Sequence, residues 1–218
     1  MSKRQSNYQA SFEINRRGFP STLRLGFIPL LDCAPLVVAQ ELGWFETVGL
    51  DVCLSRELGW GTIKEKIACK ELEGAHALAG MAFSIKMGLS SSSANVSTGI
   101  IMSHNGNALT LHNRLWEEGV RDLDSLRDYA GVLSPRRLNF GVVAHSSTQL
   151  YLLNQWLKPA GTSSQIEINV FVVPPPQLLK NLKAGVLDGF CAGEPWNSLA
   201  ILEQAGWCAA TGDSICPG

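Results

Sequence analysis

Apolar positions in this chain change period several times, and each change marks an element. Residues 23–30 alternate, with Arg24 turned outward and Pro29 closing the run, which predicts a strand. From Asp32 the spacing becomes helical. Asp32 stands where an N-cap is expected, Pro35 falls in the first turn, and Leu36, Ala39, Gln40 and Gly43 recur on one face. Gly43 and Gly49 end the helix, and residues 50–54 are apolar again. Strand, helix and returning strand within about thirty residues form a βαβ unit, so the two strands are expected to be parallel with a right-handed crossover.

The pattern returns further on. Residues 138–144 predict a strand, 148–159 a helix carrying Leu150, Leu153 and Trp156, and 166–173 a second strand. Each unit is followed by a helix and then a short strand ending in glycine. In the first copy the helix spans 62–73, with Thr62 and Glu65 spaced as a capping box, and the strand spans 75–81 before a brief helix at 82–88. In the second copy the helix spans 177–184 and the strand 185–194. Between the copies lie a serine-rich loop at 90–94, apolar runs at 96–102 and 108–111 around an Asn-Gly turn, and a charged amphipathic helix at 115–129 with Asp122 as its cap. A helix at 198–206 and a strand at 207–211 follow the second copy. Two matching halves predict two Rossmann-like α/β lobes; the alternative is one larger doubly wound sheet. The expected division is an arm at 1–22, a first lobe at 23–110, a connecting segment at 111–137 and a second lobe at 138–218.

Composition narrows the class. A chain of 218 residues with 45% apolar and 17% charged residues reads as globular. Its net charge of −1 offers no electrostatic footprint for nucleic acid or a membrane surface. No run approaches the ~18 apolar residues needed to span a bilayer. Six scattered cysteines, none in a C-x-x-C pair, are expected to be buried free thiols in a reducing compartment. Residues 1–22 lack the apolar core of a secretory signal. Arg16-Arg17-Gly18-Phe19 resembles a twin-arginine motif, but the apolar run that follows is the first strand.

In an open α/β sheet, ligands bind beyond the carboxyl ends of the strands. That edge collects neutral polar groups, glycines and helix starts: 29–33, 59–60, Gly80 and Met81, 105–107, 144–149, 174–177 and 193–196. Ser146, Ser147 and Thr148 open a helix, whose unpaired N–H groups favour a small anion. Enzyme patterns are missing from the sequence. The four histidines show no metal-ligand spacing, and there is no P-loop, G-x-S-x-G or G-x-G-x-x-G. Cys191 reads as core, Asp188 as a turn or packing residue, and Glu194 as a group that orients a site or pairs with a base.

Several stretches, LRLGFIPLLDCAPLVVAQELGWF, the Trp60 segment, GAHALAGM, NGNALTL, VVPPPQLLKNLKAGVLDGFCAGEPWN and WCAATGD, occur in an order and spacing that resembles the nitrate/bicarbonate-binding family of ABC-transporter solute receptors. The resemblance implies a type II periplasmic-binding-protein-like fold that closes on a small planar oxyanion, with no catalysis, no metal and no cofactor. It also implies a C-terminally truncated chain with an incomplete first lobe. Matched by position, the ligand-binding residues it implies are Trp60, Asn107, Gln149 and Gly193. Asn107 stands for the family's glutamine and Gln149 for its histidine. Gly80, Ser147, Thr148 and Glu194 are additional candidates, and the family's charged selectivity residue, a lysine in nitrate binders, is expected a few residues past Gly218.

One branch of that family lacks an export signal and consists of cytoplasmic nitrate/nitrite sensors. The resemblance to it implies nitrate or nitrite as ligand and a response-regulator-type antiterminator as partner, without direct nucleic-acid binding. The alternative is an exported receptor delivering nitrate, nitrite or bicarbonate to an ABC permease, which would place the chain in the periplasm. A third reading, an enzyme building the thiamine pyrimidine, shares the fold and first βαβ pattern but needs a cysteine-rich motif missing here. A fourth is a non-functional fragment with an exposed sheet edge.

Overall fold

The computed structural model describes residues 22–89, 93–133, 137–158 and 168–217. The expected arm, all but Thr22, lies outside them. So do 90–92 of the serine-rich loop, 134–136, the end of the expected 148–159 helix, the start of the expected 166–173 strand, and Gly218.

The first lobe runs β1 (Leu23–Phe27), a 3-10 turn (Leu31–Cys33), α1 (Ala34–Glu41), α2 (Trp44–Thr47), β2 (Val52–Arg56), α3 (Trp60–Ala68), β3 (Gly74–Ala75) and α4 (Ala79–Lys86). The second runs β4 (Asn107–His112), α5 (Asn113–Glu117), α6 (Leu123–Leu133), β5 (Leu138–Val142), α7 (Thr148–Leu157), β6 (Ile168–Val172), α8 (Pro175–Lys183), β7 (Gly189–Gly193), α9 (Trp196–Leu202), β8 (Gly206–Thr211) and α10 (Gly212–Ile215). The sheets are separate, so two lobes form rather than one large sheet. The first is parallel in the order β2-β1-β3, and the second has the order β6-β5-β7-β4-β8. In the second sheet β5 is parallel to β6 and β7, whereas β4 runs antiparallel to β7 and β8.

Side-chain alternation on these strands builds the core. Phe190 and Ala192 of β7 join an apolar body shared by both lobes, with Ile28, Ile63, Met81 and Ile85 on one side and Val143, Leu178 and Leu182 on the other. Cys191, one residue out of phase, joins the opposite face with Leu109, Leu111, Phe140, Val142 and Leu153. There, burial pushes its thiol up to about 12, so it is core and not a nucleophile. Buried polar groups on the same sheet are paired: Thr110 Oγ1 donates to Asn197 Oδ1 at 2.9 Å, and Asn197 Nδ2 donates to the Ala192 carbonyl at 2.9 Å. Asp188 ties three elements together. It pairs with Arg114 and accepts from the Asn139 N–H at 2.7 Å.

Several expectations need correction. The expected strand at 75–81 is two residues of β3 followed by α4, because Met81, Ser84 and Ile85 repeat at helical spacing and face inward. Of the two apolar runs around the Asn-Gly turn, 108–111 lies within β4, whereas 96–102 is irregular with Ile100 and Ile101 exposed. The 115–129 helix divides into α5 and α6 around Gly119, at φ +95°, and Asp122 caps the second by accepting from Ser125 N at 2.9 Å. Helix α3 starts at Trp60 behind an extended Gly59, so the Thr62 capping box does not form. Asp32 sits in the 3-10 turn and makes no cap bond to α1, whose N-cap is Cys33. Strand β4 pairs within the second sheet, which puts residues 107–112 with the second lobe rather than in the first lobe or the connecting segment. Only Cys33 and Cys191 are buried; Cys53, Cys69, Cys208 and Cys216 are exposed, all six free.

The outward Arg24 finds a partner, Glu73, at 2.8 Å. That side-chain hydrogen bond, helped by the Arg24 backbone N–H, holds the Glu73 carboxyl down to about 2. A depressed carboxyl stabilises the fold above its unfolded value, about 4.3, and loses that contribution as pH falls through the folded value. Urea midpoints of wild type should therefore fall from pH 4.3 towards about 2, and Glu73→Gln should flatten that slope. Asp188→Ala strands Arg114 and the Asn139 N–H; chemical denaturation should show a loss of about 3 kcal/mol.

Candidate functional site

The carboxyl ends of the two sheets face one another, and three contacts join them. The Leu31 N–H donates to the Glu194 carbonyl at 2.9 Å, linking the turn after β1 to the end of β7. Gly80, in the first turn of α4, lies so close to the Ser146 carbonyl that a Cβ there would sit 2.8 Å from its oxygen. A Cβ on Gly59 would be 4.0 Å from Pro174. Each contact pairs a segment at the carboxyl edge of one sheet with a segment at the carboxyl edge of the other.

A line of polar side chains crosses this junction. Trp60 opens α3 and is 3% exposed; its ring meets His76 edge-on, centroids 5.2 Å apart. His76 follows β3 directly and its backbone N–H donates to Gly26 at 2.9 Å, which fixes the imidazole at the sheet edge. Its Nε2 lies 3.5 Å from Asp32 Oδ2. Asp32 Oδ1 in turn faces Gly193, where a Cβ would be 3.8 Å from it and 3.7 Å from Asn107 Oδ1. Asn107 begins β4 opposite Gly193 and accepts from Gln149 Nε2 at 2.7 Å. Gln149, on the first turn of α7, is 3% exposed.

The polar accounting along this line is incomplete. Trp60 Nε1, His76 Nδ1 and Gln149 Oε1 are buried and have no hydrogen-bond partner among the described residues. Buried polar atoms are seldom left unpaired in a folded protein. The open concavities lie to the side. One of about 320 Å³ is bordered by Pro176, Lys180 and Glu203, and one of about 150 Å³, bordered by Glu194 and Thr211, touches the line only at Asn107.

The NMT1-like family matches residues 18–218. The chain belongs to that family. It is 41% identical over 198 residues to the nitrate import ATP-binding protein NrtC of Synechocystis, covering 90% of this chain and 30% of that protein. It is 39% identical to the bicarbonate transport ATP-binding protein CmpC of Synechocystis, over 87% of this chain and 29% of that one. Among solved structures, the periplasmic nitrate-binding protein NrtA from Synechocystis PCC 6803 superposes with a TM-score of 0.81 at 27% identity, covering 88% of this chain and 52% of that one. The chain thus spans about a third of the first two relatives and about half of the third. Its fold is the periplasmic-binding-protein fold expected from the motifs.

Of the residues singled out from sequence, Trp60, Asn107, Gln149 and Gly193 fall on the one line described above. Gly80 is the close-approach point beside it. Ser147 is committed elsewhere: its hydroxyl accepts from Leu150 N at 3.2 Å and donates to the Ala144 carbonyl at 2.6 Å, a helix cap. Thr148 is exposed at the start of α7. Glu194 pairs with no basic side chain among the described residues; its Oε2 accepts from Ser198 N at 3.1 Å on α9. Asp32 and His76 were missed as site residues. Reading 75–81 as one strand hid His76 in its middle; ending the strand at Ala75 would have put His76 on the carboxyl edge with Asp32. Gly80→Ala should push α4 off Ser146, destabilising by about 1–3 kcal/mol and raising the radius of gyration in small-angle scattering.

Proposed function

We propose that this junction binds a small planar oxyanion, without chemistry, as the solute-binding module of an ABC import system. The observation that carries the reading is a pair of buried unpaired ring nitrogens, Trp60 Nε1 and His76 Nδ1, gathered where two sheets present their carboxyl ends. Leaving such a group unpaired costs about 1–3 kcal/mol, which a ligand seated among them would recover. A flat ion suits the space. The Trp60 indole supplies an apolar wall and one donor, Gly193 keeps the gap between Asn107 and Asp32 free of a side chain, and the Asn107–Gln149 amide pair borders the other side.

The relatives support the same class of ligand, since their names refer to nitrate import, bicarbonate transport and nitrate binding. They also favour transport over signalling. The expected cytoplasmic sensor with an antiterminator partner gains no support from them, whereas an import system with a permease does. The periplasmic setting of the nitrate-binding relative fits the same alternative.

Titration calorimetry with nitrate, nitrite and bicarbonate tests the proposal, and a folded protein that binds none of them defeats it. Trp60→Phe keeps the ring and removes the N–H. It should weaken binding by about ten- to a hundredfold, the worth of one hydrogen bond to a charged group, with little change in thermal stability.

A further inference from the structure

The two faces of the first sheet are finished differently. Its crossovers, β1–α1–β2 and β2–α3–β3, run in opposite directions across the sheet, so α1 and α3 lie on opposite faces. The α3 face is closed: Ile28 packs with Ile63, and a Cβ on Gly26 would meet Leu72. The α1 face is not. There Leu23, Leu25 and Phe27 of β1 stand with Val52 and Leu54 of β2, through the pairs Leu23–Val52 and Leu25–Leu54, and all five are only half-buried. Residues 34–39 of α1 are apolar throughout, yet neither α1 nor α2 has a buried residue. Val38 and Leu42, one turn apart, are 44% and 59% exposed, and Trp44 and Val48, again one turn apart, are 56% and 53% exposed. None of these residues joins either apolar core. Clustered apolar surface of this kind marks a place where something docks.

The charge around the face says what kind of surface it fits. Between Arg24 and Arg56 the chain carries Asp32, Glu41, Glu46 and Asp51 and no lysine or arginine. Asp32 turns to His76. The other three lie on α1, on α2 and just before β2, all exposed, and none meets a basic side chain among the described residues. We propose that the α1–α2 face of the first sheet docks a basic amphipathic helix of a partner protein. Both neighbours of β1 are in place, so the face offers side chains and not backbone bonds, and the element that layers on a sheet in this way is a helix. Its apolar stripe would cover Val38, Leu42 and Trp44, while lysines or arginines beside the stripe meet Glu41, Glu46 and Asp51. A second copy would bring the same carboxylates together, and an anionic lipid surface would oppose them. The inference is independent of the oxyanion reading, because none of these docking residues belongs to the line across the junction.

The probe is a labelled helical peptide of about eighteen residues, with a stripe of leucines flanked by lysines, read by fluorescence anisotropy at physiological salt. A second peptide carries glutamates in place of the lysines. The lysine peptide should bind at least about tenfold more tightly than the glutamate peptide. Trp44→Ser should weaken the lysine peptide at least about tenfold. Glu41→Gln with Glu46→Gln should narrow the gap between the peptides, whereas Glu117→Gln with Asp128→Asn, the same charge change on α5 and α6, should leave it as it is. Binding of neither peptide, equal binding of both, or equal narrowing by the two charge pairs overturns the inference. So does a dimer in light scattering that Leu42→Asp dissolves, which gives the face to a second copy. Co-sedimentation with phosphatidylglycerol vesicles that Leu42→Asp abolishes gives it to a membrane and overturns the inference too. All substituted side chains are exposed, and circular dichroism checks that each variant is folded.

Discussion

Two sheets that end at the same place set the terms for everything else in this molecule. The Leu31–Glu194 backbone hydrogen bond and the approach of Gly80 to Ser146 hold the strand ends in register across the junction. The approach to Ser146 needs a residue without a side chain at position 80. Once it is made, polar side chains from five segments of the chain converge: the turn after β1, the start of α3, the residue after β3, the start of β4 and the first turn of α7. None of these segments contributes more than one or two groups. The site exists only because the topology returns each strand to one edge.

The arrangement also explains why the residues at the junction are mostly neutral. Charges drawn into a buried junction need partners, and the molecule places its firm ion pairs elsewhere. Asp188 and Arg114 sit at the opposite ends of the strands, and Arg24 with Glu73 lies on the outer rim. The junction keeps an indole, an imidazole, two amides and one carboxylate.

Much of this architecture was readable from period and punctuation. Long apolar runs closed by proline or glycine located β1, β2, β5, β6 and β7 to within a few residues, and the repeated βαβ order anticipated two lobes. Where the reading failed, the same apolar letters served two structures. Residues 79–81, expected at the end of a strand, belong instead to the start of α4, which continues into the helix expected at 82–88. Strand β4 crosses to the second sheet for a reason of tertiary pairing that no local pattern records. At the junction, motif resemblance picks out Trp60, Asn107, Gln149 and Gly193; Asp32 lies in the 29–33 edge segment, and only His76 requires knowing where β3 stops.

The small buried bridge from Thr110 through Asn197 to the Ala192 carbonyl has a mechanical meaning. It welds α9 to the centre of the five-stranded sheet with directional bonds in a region of low dielectric. Any swing of one half of the molecule against the other must therefore carry β4, β7 and α9 as a single block. Strand β4, strand β7 and helix α9 thereby share one hydrogen-bonded frame, and Asn107 and Gly193 sit at its rim.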